Sequence, residues 1–417
     1  MASSSRLDLS FAAGWALAVT MVGYPVAGLM GSALNWDSTS ASIPFRIGVV
    51  VLSAILLAFG PPIGTWMRRS PWLALFALLY LLRLLWDVGA ADVPGAGTAL
   101  TYFTVAVLIP VAALGLVATQ LREQQAAHAL ALLGGLACLM ALVMHFWGLG
   151  LDRSLTEATQ RLSFEAVNPI TLGHVAVTSI IAVLALARAR ATLLRTLLLP
   201  AVVLVALACL VLAASRGPFL ALVICFSAYL LSIGGWRKKV VLAGAGLLIG
   251  IAALSGTDEH FQSLLRLADL EEDESFQQRL ALQTDAVAQF LSSPLFGSAF
   301  IELESLDYPH NLFIEAAMAL GVIGLLATCA LVWLAAVQFI RRMRAGEILV
   351  PLLLMQYFIA IQFSGSLWGS TSFWAIMAVA LGAPRPRLPR WAGHRKRKDP
   401  RPLLTGALVG VGGKTSA

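Results

Sequence analysis

Charge is scarce in this chain: only 12% of its 417 residues are Asp, Glu, Lys or Arg, against a hydrophobic share of 59%. A soluble domain carries about a quarter charged residues, so the scarcity excludes a soluble globular fold. With a mean hydropathy of +0.83, the chain reads as an integral membrane protein. Cysteine is scarce too. The four, Cys138, Cys209, Cys225 and Cys329, fall in apolar runs and make no paired motif, which leaves no basis for a disulfide framework or a metal site. A phosphate-binding loop is also wanting: GALVGVGGKTSA at the C-terminus has Leu408 where that loop requires Gly, and no strand precedes it. Nucleotide hydrolysis is therefore not expected, and neither is any cofactor. No internal repeat and no cleavable leader are visible. The first apolar run is too long for a leader and reads as a signal anchor.

What the chain has in abundance is apolar runs of the length that spans a bilayer, roughly 20 residues. The runs predict an all-α polytopic fold of about twelve spans, near 11–32, 44–60, 71–88, 98–118, 127–149, 169–187, 195–213, 218–233, 240–256, 311–340, 347–363 and 368–382. The run at 311–340 is long enough to tilt or protrude. Basic residues set the orientation, because basic loops resist translocation. One set of alternate loops, with the tail from Arg385 to Lys414, carries 22 of the 29 Lys and Arg. The opposite loops carry Arg46, Arg153, Arg161, Arg216, Arg266 and Arg279, and Arg83 lies within the third span. Both termini are thus expected in the cytoplasm. The net charge of +7 is then a topology signal with anionic lipid as its partner, not a nucleic-acid signal.

Four segments follow: spans one to nine over 1–256, an outer loop over 257–309, spans ten to twelve over 310–383, and a basic cytoplasmic tail over 384–417 that is expected to be disordered. In the outer loop Phe276, Leu280, Val287 and Leu291 recur at helical spacing. Acidic residues from Glu271 onward and Ser275 suit a helix start, and Pro294 and Gly297 suit its end. The loop is expected to form an amphipathic helix on the membrane surface. A shorter outer loop, 150–168, is expected to form another.

A charge tolerated near a span usually faces a polar cavity, a partner or a headgroup. Arg216 lies in ASRGPF, where Ser215 can cap a helix, Pro218 suits its first turn and Gly217 leaves backbone amides uncovered. Amides at a helix start beside a guanidinium make an anion site; the alternative is an Arg that snorkels to lipid phosphates. Arg279, in the loop helix, is by itself a solvated cation. His310 precedes Asn311 at the start of the tenth span and is suited to acid–base work at neutral pH, or else it is an interfacial capping residue. The charge bias puts all three on one face. Two guanidiniums suit a phosphate and a nearby imidazole suits a proton, which together fit a phosphate-activated lipid substrate with no metal required.

Other polar residues rank lower. Arg83 and Asp87 are spaced as an intramembrane ion pair, and His174 is expected to be hydrogen-bonded to a neighbour within its span. Glu302, Glu304 and Asp307 read as a solvated rim, whereas Glu315 is placed to tune His310 or bind a hydroxyl. Arg153, Arg161 and Arg266 are further outer candidates for binding sugar or phosphate.

Taken together, ASRGPFLAL, SSPLFGSAF and above all PHNLFIEAAMALGVIGLL resemble the signature of the O-antigen ligase and polymerase superfamily of bacterial inner-membrane glycosyltransferases, most of all its ligase branch. The resemblance covers roughly residues 205–340 by motif. It implies Arg216, Arg279 and His310 as essential residues; beside them the residues themselves offer Asn311, Glu315, Arg266, Arg153, Arg161, Ser215 and Gly217 as lesser candidate substrate contacts. It also implies a periplasmic active site and transfer of a glycan from undecaprenyl diphosphate to a lipid A–core acceptor, inverting and independent of nucleotide. A growing glycan or a protein hydroxyl is the acceptor in related branches. A lipid-linked glycan transporter is the competing class, disfavoured by the few acids within spans and the lack of repeated halves.

Overall fold

A computed structural model of the protein describes residues 9–36, 38–152, 161–187, 193–232 and 274–383, with a few isolated positions between them. Among these residues the chain is helical, and its β pairing is confined to isolated bridges at Leu151, Phe164 and Val167. Seven helices are long and apolar enough to cross a membrane: α1 (Ser10–Ala33), α2 (Thr39–Phe59), α4 (Pro71–Gly89), α5 (Ala96–Val117), α6 (Glu123–Trp147), α7 (Pro169–Leu186) and α11 (Leu312–Ala345). A short α3 (Ile63–Arg69) precedes α4. Four shorter apolar helices follow among the described residues: α8 (Leu197–Ala213), α9 (Arg216–Ser232), α12 (Leu349–Phe363) and α13 (Thr371–Gly382). The loop helix α10 spans Glu274–Ser292. Eleven of the twelve expected spans thus have a helix. The remaining one, 240–256, lies outside the described residues save for two positions, as do Arg153, Arg266, the first part of the 257–309 loop and the basic tail.

Helix packing follows membrane rules, in which small residues let backbones approach because lipid supplies no hydrophobic drive between helices. On the α6–α7 seam Gly134 leaves no room for a Cβ, which would collide with the Ser179 hydroxyl. Between α1 and α6 a Cβ on Gly14 would stand 3.0 Å from the Ala126 amide. The core is accordingly rich in alanine, while Leu132, Phe146, Leu204 and Trp333 point outward at 61–77% exposure, as lipid-facing side chains do.

The run at 311–340 forms the 34-residue α11, and the fold adds a break at Gly321, whose φ of 68° and ψ of −158° are non-helical. The segment Pro294–Ser298 fills the break. The Val322 amide donates to the Pro294 carbonyl at 2.8 Å, and the Met318 carbonyl accepts from the Ser298 amide at 2.9 Å, so the backbone groups freed by the kink are paired by the loop, as a membrane interior requires. Gly321 and Gly297 both have left-handed φ, and a Cβ on either would collide with backbone of the opposing segment. Of the loop 150–168, the described stretch 161–168 with Leu151 forms a bridged turn tucked against α1, and most of 153–160, where a helix is expected, lies outside the described residues. Tyr24 donates to the Ala166 carbonyl at 2.9 Å, and the Ala166 amide donates to Ser32 Oγ at 3.1 Å.

The ion pair expected in α4 is present. Arg83 Nη1 lies 3.1 Å from Asp87 Oδ1 and also donates to the Ser298 carbonyl at 2.6 Å, while Asp87 Oδ2 accepts from the Phe300 amide at 3.0 Å. The pair clamps the stretch after the α10 helix to the end of α4, beside the break in α11.

Candidate functional site

Helix α11 begins where the sequence places it, and Asn311 supplies the cap: its Oδ1 accepts from the Phe313 amide at 3.0 Å and the Ile314 amide at 3.2 Å. The cap occupies that oxygen, so only the amide nitrogen of Asn311 is left for a ligand. His310 is therefore not the capping residue. It sits at φ 51°, a left-handed conformation that non-glycine residues adopt at a cost and that clusters at functional sites. Its ring lies edge-on to Tyr308, with centroids 4.4 Å apart, and its Nδ1 is buried with no hydrogen-bond partner among the described residues. Burial, followed by the charge of Arg279, lowers the imidazole below its ordinary value of 6.5, and Asp307 pulls partly the other way. His310 is thereby held neutral at pH 7, the form that accepts a proton.

Arg279 is placed by α10, where it donates from Nη1 to the Phe363 carbonyl at 2.6 Å, at the end of α12. Its charge is felt at both His310 and Tyr308. The structure thus brings Arg279 and His310 into one electrostatic neighbourhood, although 31 positions separate them in the chain. Tyr308 is pushed up to about 12 by burial, then by Asp307 and Glu315, against the opposing effect of Arg279. Its ring meets Trp368 edge-on at 6.3 Å. Glu315 is fully buried and accepts from the Leu367 amide at 2.8 Å; it shapes the α12–α13 connection that carries Trp368. Of the acidic residues before His310, Glu304 and Asp307 are exposed as a rim, whereas Glu302 is buried and structural. Glu302 accepts from the Glu304 and Ser305 amides at 3.0 and 2.6 Å. Burial raises that carboxyl, and these amides outweigh the burial and leave it lowered.

Arg216 opens α9 after a sharp α8–α9 corner in which Ala214 has a φ of 43° and Ser215 is buried. A Cβ on Gly217 would meet open space, so the amides of the first turn are uncovered on that side. Pro218 fixes the corner against α7, since a Cβ on Gly173 would lie 2.7 Å from its ring. The Leu162 amide donates to the Leu212 carbonyl at 2.9 Å, which brings Arg161, one residue earlier, to the same corner.

A cavity of about 370 Å³ lies among the start of α7, the Ser364–Phe373 connection, the middle of α1, and the first halves of α2 and α5. None of Arg216, Arg279 and His310 lines it. Its nearest links to them are aromatic and helical. Tyr102, on its wall, meets Trp368 edge-on at 5.4 Å, and Trp368 in turn meets Tyr308. Pro218, two residues after Arg216, packs on Gly173 next to the cavity residue His174. His174 departs from expectation. It is 7% exposed and both of its ring nitrogens lack hydrogen-bond partners among the described residues.

Sequence reasoning missed Tyr308, Trp368 and the Phe363 carbonyl. The aromatic pair had a signal, as two large rings in short loops on the outer face, but a backbone acceptor leaves none. Glu315 was placed one turn into α11 correctly, without any sign that it would hold a backbone amide.

Residues 200–329 match the family model described as O-Antigen ligase, a stretch that includes Arg216, α10 with Arg279, the Pro294–Ser298 plug and His310. That segment, under a third of the chain, is thus similar to the O-antigen ligase family, which at a coarse level supports an enzyme of the ligase and polymerase class in a membrane setting. A comparison with curated protein sequences gives no match.

Proposed function

We propose that this protein is an O-antigen ligase of the bacterial inner membrane. It transfers a glycan from undecaprenyl diphosphate to a sugar hydroxyl of lipid A–core at the periplasmic face, with both termini in the cytoplasm. The observation that carries the reading is a half-buried imidazole at the start of α11, its Nδ1 without a partner among the described residues and within electrostatic reach of Arg279, together with Arg216 set on the start of α9. Arg216, with the uncovered amides of α9, and Arg279 hold the diphosphate. The acceptor oxygen attacks the anomeric carbon, the bond from that carbon to the diphosphate oxygen breaks, and the electron pair leaves with the diphosphate. His310 takes the proton from the attacking hydroxyl, and the anomeric centre inverts. Two guanidiniums and a helix end stabilise the leaving group's charge, which is why no nucleotide enters the scheme.

The apolar stripe of α10 supports a membrane-surface seat for the site. Phe276, Leu280, Val287 and Leu291 are 40–67% exposed, as side chains in contact with lipid or a polyprenyl tail would be. The test is reconstitution of purified protein with polyprenyl-diphosphate glycan and lipid A–core, without nucleotide. Joined product is expected from the wild type. His310→Ala should lose roughly 10²–10⁴ in rate, and Arg216→Ala and Arg279→Ala each about 10²–10³. Wild-type turnover in all three variants would end the assignment. A strain lacking the gene is expected to keep full-length polymer on its lipid carrier; single repeat units there would point to a polymerase.

A further inference from the structure

The cavity beside the arginine–histidine group has no role in the chemistry above, yet its lining is selective. Arg46 at the start of α2 lies over the Tyr102 ring with its guanidinium carbon 4.4 Å from the centroid. Asn168 and Thr171 come from the first turn of α7, Thr371 comes from the start of α13, and His174 closes the group. No carboxylate is found among the described residues that line it. Hydroxyls, amides and aromatic faces with one cation and no acid match a polyhydroxylated ligand that is neutral or anionic, and they repel nothing such a ligand carries. The volume lies within the range of small-molecule sites, roughly 300–1,000 Å³.

His174 supplies the second, independent sign. A buried polar atom left unpaired costs desolvation free energy, and a neutral imidazole has one donor and one acceptor to satisfy. Here both nitrogens are buried and unpartnered in a residue 93% removed from solvent, while the residue borders the cavity. A hydroxyl both donates and accepts, so it is the ligand group that pairs with either nitrogen once a turn of the ring brings that nitrogen to the cavity wall.

We infer that this cavity is a saccharide subsite in which His174, Thr171 and Arg46 hold a sugar unit next to the reacting centre. The inference rests on the proposed glycan transfer and adds to it the residues that select the sugar. The sugar comes from the acceptor core or from the donor glycan, two sources with one chemistry. The Tyr102–Trp368–Tyr308 chain of edge-on rings joins the cavity wall to His310, so the subsite and the base are built on one contiguous aromatic wall.

Isothermal titration calorimetry on the purified full chain in detergent tests this, with lipid-free core oligosaccharide in one arm and lipid-free O-antigen repeat oligosaccharide in the other. At least one is expected to bind, with affinity lowered tenfold or more by His174→Leu and restored in part by His174→Gln. Arg46→Ala and Thr371→Val, which leave the packed interior of α7 intact, are expected to weaken the same arm and replace His174→Leu should that variant not fold. Arg216→Ala should bind the oligosaccharide as the wild type does while losing transfer, which separates the subsite from the diphosphate site. Oligosaccharide binding in a wild type that joins no substrates would sustain the subsite and sink the proposed transfer. No binding in either arm, undiminished binding in the folded cavity variants, or loss of binding in Arg216→Ala would overturn the subsite.

Discussion

At the scale of single residues, His310 is defined by what its surroundings withhold. Burial and the Arg279 charge both disfavour the imidazolium, and only Asp307 favours it. The proton-accepting form therefore persists below pH 6.5 and is lost as pH falls through the lowered value. The acid limb of the pH–rate profile for glycan transfer is expected below 6.5. Asp307 is exposed and raises the value, so Asp307→Asn should move that limb to lower pH with little change in the rate on the plateau. A limb that moved upward in Asp307→Asn would show that this carboxylate does not act on His310 as described. The imidazole's place at the doorstep of a span was legible in the sequence, because Pro309 and Asn311 frame a helix start. Its left-handed backbone and its contact with Tyr308 were not, since neither follows from neighbours in the chain.

At the scale of elements, the break in α11 and the segment that plugs it form one unit. Neither Gly297 nor Gly321 has space for a side chain, and both have φ near 70°. Gly321→Ala is expected to lower the melting temperature in detergent, with a cost of about 1–3 kcal/mol for the backbone strain besides that of the displaced loop. Gly297→Ala should do the same. The double variant should cost less than the two together, because both disrupt one contact; strictly additive losses would show that the two glycines do not share an interface. The Arg83–Asp87 clamp invites a second test. Asp87 is fully buried, so Asp87→Ala leaves a cation with its main partner gone, at a cost of about 3–5 kcal/mol. Arg83→Met with Asp87→Leu should recover much of that loss in thermal stability. A double variant no more stable than Asp87→Ala would mean that the hydrogen bonds to Ser298 and Phe300, and not the charge pair, dominate. The i, i+4 spacing disclosed the pair, but its role as an anchor for a loop more than 200 residues away appears only in the fold.

At the scale of the whole molecule, orientation and convergence are separate matters. The proposed orientation rests on the basic loops, which resist translocation, and the proposed active site lies at the end they leave for the periplasm. A cysteine introduced at Asp307 is expected to react with a membrane-impermeant thiol reagent applied from the periplasmic side in intact spheroplasts, whereas one at Glu347 should react only after the membrane is opened. Of the native cysteines, Cys138, Cys209 and Cys225 are buried and Cys329 lies on an exposed helix face within the span of α11, so their background is expected to be low. The reverse labelling pattern would place the site in the cytoplasm and remove the proposed substrate from its reach.

The sequence by itself determined that this is a helical membrane protein, where most spans run, where α11 begins, and that α10 is an amphipathic helix. Those properties depend on local composition and on charge counted loop by loop, and both are written in the linear chain. Tertiary structure alone decided that α11 breaks and is healed by a distant loop, that Arg279 reaches the end of α12 and influences His310, and that His174 lines a cavity instead of bonding to a neighbour. Each of these depends on which backbone or ring happens to be packed opposite, and in a bilayer, where every helix face is apolar, the hydrophobic pattern does not specify that partner.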